Sequence, residues 1–308
     1  AMRHTTLYRP ERSSLALIAL CLTALALALP TSPASTIESG EDTITLKAGI
    51  LERTLSTRGG NLRTSSFTVD GEPILADPAS TVDECEIVVS RAKPDREPQG
   101  LEPGEEGHQW NEVDFATTLL EGGTDPTAKK QDVRWTNPQS ITAANWSRYV
   151  DEMERRISNP SEGVTRLEVR GRSTKGELKG LQCTLVYEVY DGHSAVRKWL
   201  RIANRGKHWL KVDDLCIEAI SLRQNFRHRT ALTPSEGQIR SSVVALGTED
   251  GSRGVIAGNE IPAALHEVRS NGELGYRNPL FEWVLGPGES FTSEPVFYYA
   301  YAGETRET

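Results

Sequence analysis

The chain has 308 residues, of which 37% are hydrophobic and 25% charged, and carries a formal net charge of −8 at pH 7. That length and apolar content leave ample room for a core, in one large β domain or two small ones. Lys and Arg are scattered singly among acidic residues and form no stripe able to neutralise a phosphate backbone, which argues against nucleic acid as a partner.

Arg3, Arg9 and Arg12 precede an apolar run from Leu15 to Leu29; Pro30 breaks it, and the small residues Ser32, Ala34 and Ser35 follow. This is the layout of a secretory signal peptide over residues 1–35, with cleavage after Ala34 or Ser35. A membrane anchor is the alternative, but the run falls short of the ~20 apolar residues a spanning helix needs. The expectation is a secreted or periplasmic protein with no membrane association once the signal is removed. Cys21 lies inside the apolar run and suits no lipid attachment. The remaining Cys85, Cys183 and Cys216 allow at most one disulfide. A buried Cys183–Cys216 pair and three small core hydrophobes both fit. No CxxC and no His/Cys cluster exists, so no metal and no cofactor is indicated.

Taken in order, Thr43 to Leu55 reads as short strands about Gly49, and Leu62 to Val69 alternates toward the hairpin signal Asp70-Gly71. Glu84 to Arg91 is a strand. The Pro, Gly and acidic residues of 93–108 predict a solvated loop insertion, after which Val113 to Leu120 is extended again. Residues 121–161 form a second insertion. Here Trp146, Tyr149, Val150, Met153 and Ile157 have the spacing of an amphipathic helix that Asn159-Pro160 would stop. Trp135, Trp146 and Tyr149 place three aromatics in this segment, either stacking on sugar faces or pinning the insertion to the body.

From Val164 to Gly171 the pattern is a strand again. It leads into Leu181 to Leu222, read as three antiparallel strands turned by Asp191-Gly192 and Asn204-Arg205-Gly206, the third with a bulge at Asp213-Asp214. Ser241 to Leu246 and Gly254 to Ala257 form a hairpin. Leu280 to Leu285 and Ser290 to Ala302 form the last, with Pro295 marking an edge or bulge. The sum is an all-β fold, a large two-sheet antiparallel β-supersandwich over residues 36–308 with one short inserted helix.

The phrase Tyr187-Glu-Val-Tyr-Asp-Gly192, then Val196-Arg-Lys-Trp-Leu-Arg-Ile-Ala-Asn204 and Trp209-Leu-Lys-Val212, resembles the N-terminal β-supersandwich of α-galactosidase-like glycoside hydrolases of family 36. Gly254-Val-Ile-Ala-Gly-Asn-Glu260 and Phe281-Glu-Trp-Val-Leu-Gly-Pro-Gly-Glu-Ser290 are similar to later hairpins of that domain. Sandwiches of the galactose-mutarotase type share the rhythm. The resemblance implies carbohydrate association, with galactoside-like glycans as ligands. It also implies a catalytic barrel as a partner that would carry the paired carboxylates of the retaining reaction. With the sequence reaching Thr308 before such a barrel, no catalytic residue is expected here. Lys211-Val-Asp213 looks like the family's nucleophile motif but lies in a strand pattern without strand–helix alternation.

No Gly-x-Ser-x-Gly turn or phosphate-binding loop is present. A mutarotase-type enzyme would need a His acid and a carboxylate base, for which His193, His208, His266, Glu260 and Glu282 are candidates. Expected ligand contacts are Trp135 and Trp146 as stacking rings, with Glu260 and His266 in a loop about Pro262. A third reading is a purely structural domain that supports a separate glycosidase chain.

Overall fold

The structure, a computed structural model, describes residues 34–76, 84–92, 136–142, 145–232, 242–260, 266–268, 273–276 and 281–303. In chain order the strands are β1 (Thr36–Ser39), β2 (Thr43–Ala48), β3 (Leu51–Ser56), β4 (Arg63–Val69), β5 (Glu72–Pro73), β6 (Glu86–Arg91) and β7 (Gln139–Ile141). One short helix, α1 (Trp146–Tyr149), precedes β8 (Glu152–Ser161), β9 (Val164–Arg172), β10 (Leu181–Tyr190), β11 (Ala195–Asn204) and β12 (Leu210–Glu218). Then come β13 (His228–Ala231), β14 (Val243–Gly247), β15 (Arg253–Asn259), β16 (His266–Val268), β17 (Leu274–Tyr276), β18 (Trp283–Leu285), β19 (Ser290–Thr292) and β20 (Val296–Ala302).

The all-β antiparallel reading holds, with the described strands divided among three sheets. A five-stranded sheet runs β1 to β5 in sequence order. A nine-stranded sheet has the order β13-β14-β15-β20-β11-β10-β9-β8, with β19 also on β11. A six-stranded sheet has the order β16-β17-β12-β6-β7, with β18 also on β12. One apolar core joins them: Ile44, Leu46 and Phe67 from the first sheet and Ile87, Val89 and Leu215 from the third pack with Leu185, Leu200 and Ile202 of the second. These residues alternate along their strands, so the nine-stranded sheet keeps one inner and one outer face.

Three expectations are corrected. The helical spacing from Trp146 to Ile157 yields only one turn of helix, and β8 takes over from Glu152. Met153 and Ile157 are also two positions of equal parity on a strand, and they pair with Gly171 and Leu167 of β9. Pro160 does not end this strand because β8 is an edge, where a missing N–H costs no ladder bond; the register slips there, between Ser158 and Ser161. Second, β10, β11 and β12 are not one meander. β10 pairs with β11, whereas β12 pairs with β6, β17 and β18 of the other sheet. Third, β18 and β19 do not form a hairpin; they pair with β12 and β11 respectively. Asn204 holds both crossings between sheets. Its Nδ2 donates to the carbonyls of His208 (2.8 Å) and Leu285 (3.0 Å), and its Oδ1 accepts from the Gly206 N–H (3.0 Å). The bulge on β12 is present, between Val212 and Asp214 opposite Val89 and Val88. Ser293 to Pro295 lie outside any strand and interrupt the last run between β19 and β20.

A charged cluster sits inside the core. Arg53 and Lys198 are 0% exposed, Glu218 0% and Glu84 1%. Arg53 donates through Nη1 and Nη2 to the two oxygens of Glu218 (2.6 and 2.9 Å) and through Nη2 to Glu84 (2.6 Å). Its Nε donates to Thr64 (2.9 Å). Lys198 Nζ lies 3.1 Å from Glu84 and 3.3 Å from Glu218, and it also donates to the Glu84 backbone carbonyl. Tyr187 donates its hydroxyl to Glu84 (2.7 Å), and Thr64 donates to the other Glu84 oxygen. Two cations thus face two anions with their polar atoms paired, the condition under which buried charge is tolerated. Burial alone would raise the Glu84 pKa. Arg53 first, then Lys198 and the hydrogen bonds from Thr64 and Tyr187, outweigh it and hold that carboxyl well below the usual range. Cys85, Cys183 and Cys216 are buried free thiols, so the disulfide alternative is not realised, and burial pushes Cys183 up to about 12.

Candidate functional site

The outer face of the nine-stranded sheet carries side chains that the core does not explain. Parity sets them there. On β10 the apolar Cys183, Leu185, Tyr187 and Val189 point inward, so Glu188 and Tyr190 point out. The ladders place Arg166 of β9 and Arg197 of β11 directly opposite Glu188, one on each side. Such directly opposed unlike charges stabilise a sheet. Continuing across, Arg197 is opposite Phe297 of β20, and Phe297 is opposite Gly258 of β15. One transverse row therefore reads Arg166, Glu188, Arg197, Phe297, Gly258.

The charged half of this row is closely bonded. Arg166 donates from Nε and Nη2 to Glu188 Oε1 (2.8 and 2.5 Å), while Tyr190 (2.6 Å) and Arg197 Nη1 (3.2 Å) donate to Oε2. Arg197 also grips Glu260 in a bidentate pair, Nε to Oε1 at 2.5 Å and Nη2 to Oε2 at 2.8 Å. Both guanidinium groups cover the Trp199 ring, at 5.4 Å for Arg166 and 5.0 Å for Arg197, in the geometry of a cation–π contact. Burial would raise the Glu188 carboxyl, but hydrogen bonds from Tyr190, Arg166 and Arg197 pull it below its ordinary value. Burial and the Glu188 contact push Tyr190 up to about 12. A carboxylate held ionised in this way is a poor proton donor and a weak base, so the cluster is suited to hydrogen bonding rather than to acid–base turnover.

The aromatic half follows β20. Phe297, Tyr299 and Tyr301 share the outer face, two residues and therefore about 6.8 Å apart. Their neighbours on β15 are small or slender: Gly258 beside Phe297, Ile256 beside Tyr299 and Gly254 beside Tyr301. A Cβ on Gly258 would lie 2.9 Å from the Phe297 ring tip, so this glycine makes the seat for that ring. Phe297 and Tyr299 are half-buried, whereas Tyr301 is 7% exposed.

The expected site residues fall in different places. Trp146 is 1% exposed and packs over Gly171 and Val150, which removes it as a ligand contact; it pins the segment to the body. Trp135 lies outside the described residues. Glu260 is exposed at the end of β15 and joins the outer-face cluster through Arg197. His266 pairs by its backbone with Tyr276 in the six-stranded sheet, and its side chain is outside the described residues. His193 is exposed in the β10–β11 turn, and Glu282 pairs with Lys211 at 3.2 Å. Lys211 also meets Asp213 at 2.6 Å, so the Lys-x-Asp sequence is an ion pair on the bulged strand. Among the described residues no group of three or more His, Cys, Asp or Glu is placed to hold a metal ion. Sequence reasoning missed Trp199, Phe297 and Tyr299. The signal was present, since each stands at the polar parity of a strand whose other parity is apolar.

The fold is that of an antiparallel β-supersandwich. No family model matches this sequence, and no curated protein does. Among solved structures, the chain is similar to the GH36 alpha-galactosidase AgaB of Geobacillus stearothermophilus, at 15% identity and a TM-score of 0.42, over 88% of this chain and 41% of that one. It is also similar to the galactosidase domain of the alpha-galactosidase-sucrose kinase AgaSK, at 14% identity and a TM-score of 0.46, over 87% and 42% of the two chains. The YidC insertase is similar at 11% identity and a TM-score of 0.39, over 96% and 46%. The chain spans less than half the length of each of these three chains.

Proposed function

We propose that this chain is an exported carbohydrate-binding β-sandwich whose ligand lies along the outer face of the nine-stranded sheet. The observation that carries the reading is the transverse register of ring and charge, with Phe297 set directly beside Arg197, which in turn holds Glu260. A sugar presents apolar C–H faces and hydroxyl edges at once. Half-buried rings supply area to the first, and guanidinium and carboxylate groups donate to and accept from the second. The sequence resemblance to the galactosidase supersandwich supports the same ligand class. The companion reading of a catalytic barrel as partner rests on that resemblance alone.

The test is calorimetric titration with a panel of neutral galactosides and plant polysaccharides. Binding in the millimolar range or tighter is expected. Phe297→Ala and Tyr299→Ala should each weaken it by about tenfold, the equivalent of about 1.4 kcal/mol for a lost ring contact, with the thermal transition preserved. A panel without any binder, or binding indifferent to both substitutions, refutes the reading. In that event co-purification with an α-galactosidase barrel tests the same face as a domain interface.

A further inference from the structure

A second site lies at the other end of β9 and β10. Where β9 runs into the loop of residues 173–180, and where β11 crosses to β12, the chain leaves a cleft of about 770 Å³. Its wall carries Arg91, Arg172, Lys179, Arg205 and Lys207, against the single carboxylate of Glu177. This concentration of positive charge occurs in a chain whose net charge is −8.

The floor is rigid. The Arg205 N–H donates to the Gly180 carbonyl (2.7 Å), and the Gly180 N–H donates to the Ser173 carbonyl (2.8 Å). The two loops touch backbone to backbone: a Cβ on Gly180 would lie 2.2 Å from the Gly206 nitrogen, and one on Gly206 would lie 2.6 Å from the Lys179 carbonyl oxygen. Gly180 also has a φ of 98°, a conformation that side chains disfavour. Two glycines thus fix the shape of the cleft without any ligand.

The cations around it are weakly committed, Arg205 Nη1 making one exposed hydrogen bond to the Gly288 carbonyl (3.2 Å). Arg91 Nε is buried without a hydrogen-bond partner. Arg172 reaches Glu152 at 3.4 Å, a pair exposed on both sides and worth little. Lys179 and Lys207 are exposed and make no ion pair among the described residues. Like charges around one cleft repel one another, and an anion placed among them relieves that repulsion while accepting from their free donors. We propose that this cleft binds an acidic glycan segment, recognised through two or more oxyanion groups of the carboxylate or sulfate kind. The volume lies within the range of small-ligand sites and suits a short oligosaccharide. From Gln182 at the cleft to Glu188 on the outer face is six residues of β10, about 20 Å, so the two sites are separate.

The experiment titrates the purified protein with a hexuronic acid trimer, a sulfated disaccharide and inorganic pyrophosphate at low and moderate salt. Either acidic sugar should bind, and more weakly as salt rises. The Arg205→Gln/Lys207→Gln protein, whose substitutions are at exposed positions, should bind at least about tenfold more weakly at an unchanged melting temperature. Binding of pyrophosphate alone would overturn the glycan assignment. No binding at low salt, or equal binding by the double variant, would overturn the site. Neutral glycan binding lost in Phe297→Ala but kept in the double variant separates the fate of this proposal from that of the outer face.

Discussion

Replacing Lys198 with Met tests whether the buried cluster is charged in the folded protein. Met keeps the length and apolar stem of the side chain and removes the ammonium, together with its contacts at 3.1 Å to Glu84 and 3.3 Å to Glu218. Arg53 then faces two buried carboxylates alone. Removing one partner from a buried ionic group costs about 3–5 kcal/mol, because the charge left behind is neither solvated nor balanced. That is a large share of the roughly 5–15 kcal/mol that holds a domain together. The pH dependence adds a sign. In the parent protein the Glu84 carboxyl is held below its ordinary value. Its contribution is therefore complete above the unfolded pKa of about 4.3 and is lost progressively as the pH falls below that value toward the depressed folded one. In Lys198→Met one carboxylate is surplus, and burial raises its pKa. Its penalty is full at about pH 8 and is relieved as protonation neutralises it on the way down. Urea unfolding followed by tryptophan fluorescence should show a deficit of about 3–5 kcal/mol at about pH 8 that narrows near pH 5. Adding Glu218→Gln should recover part of it, since Arg53 and Glu84 then balance. A deficit below about 1 kcal/mol, or one independent of pH, would refute a fully ionised cluster.

Two further expectations concern the frame. Asn204→Ala leaves the buried carbonyl of Leu285 and the part-buried carbonyl of His208 without this donor and frees both crossings between sheets, so a loss of about 2–4 kcal/mol is expected by chemical denaturation, and one below about 1 kcal/mol would contradict the role given to this residue. Ser35 donates its N–H (2.7 Å) and hydroxyl (2.8 Å) to Asp191 Oδ1, so processing after Ala34 would set a new ammonium against that carboxylate; if the proposed leader is cleaved, N-terminal sequencing of the mature chain should start at Ser35, and a start at Thr36 or an uncleaved leader would contradict it.

Much of the fold was legible because period-two patterning is local. The faces of β9, β10 and β11, the β12 bulge and the break at Pro295 all follow from which parity is apolar. What was not legible is which sheet a strand joins. Asn204-Arg205-Gly206 reads as a hairpin turn, yet β12 leaves for the other sheet because the Asn204 side chain ties the turn to Leu285, a residue remote in sequence. The helical reading of Trp146 to Ile157 failed for a related reason. Spacings of three and four contain positions of equal parity, and the open edge of β9 offered a ladder that a short isolated helix could not match.

The charged core and the outer face are two consequences of one alternation. Arg53 and Lys198 stand at the apolar parity of their strands, between Leu51 and Leu55 and between Val196 and Leu200. A charge in such a position must meet its opposite inside or unfold the sheet, and Glu84 and Glu218 meet it. Trp199, Phe297 and Tyr299 stand at the polar parity, where a ring has no core to enter. Trp199 is covered by two guanidinium groups, and that covering accounts for its burial. Phe297 and Tyr299 have glycine or isoleucine beside them on β15 and no such cover there. Half-buried rings kept on the solvent side of a sheet, in register with a bidentate Arg197–Glu260 pair, are not needed by the core, and it is on this placement that the proposed ligand face rests.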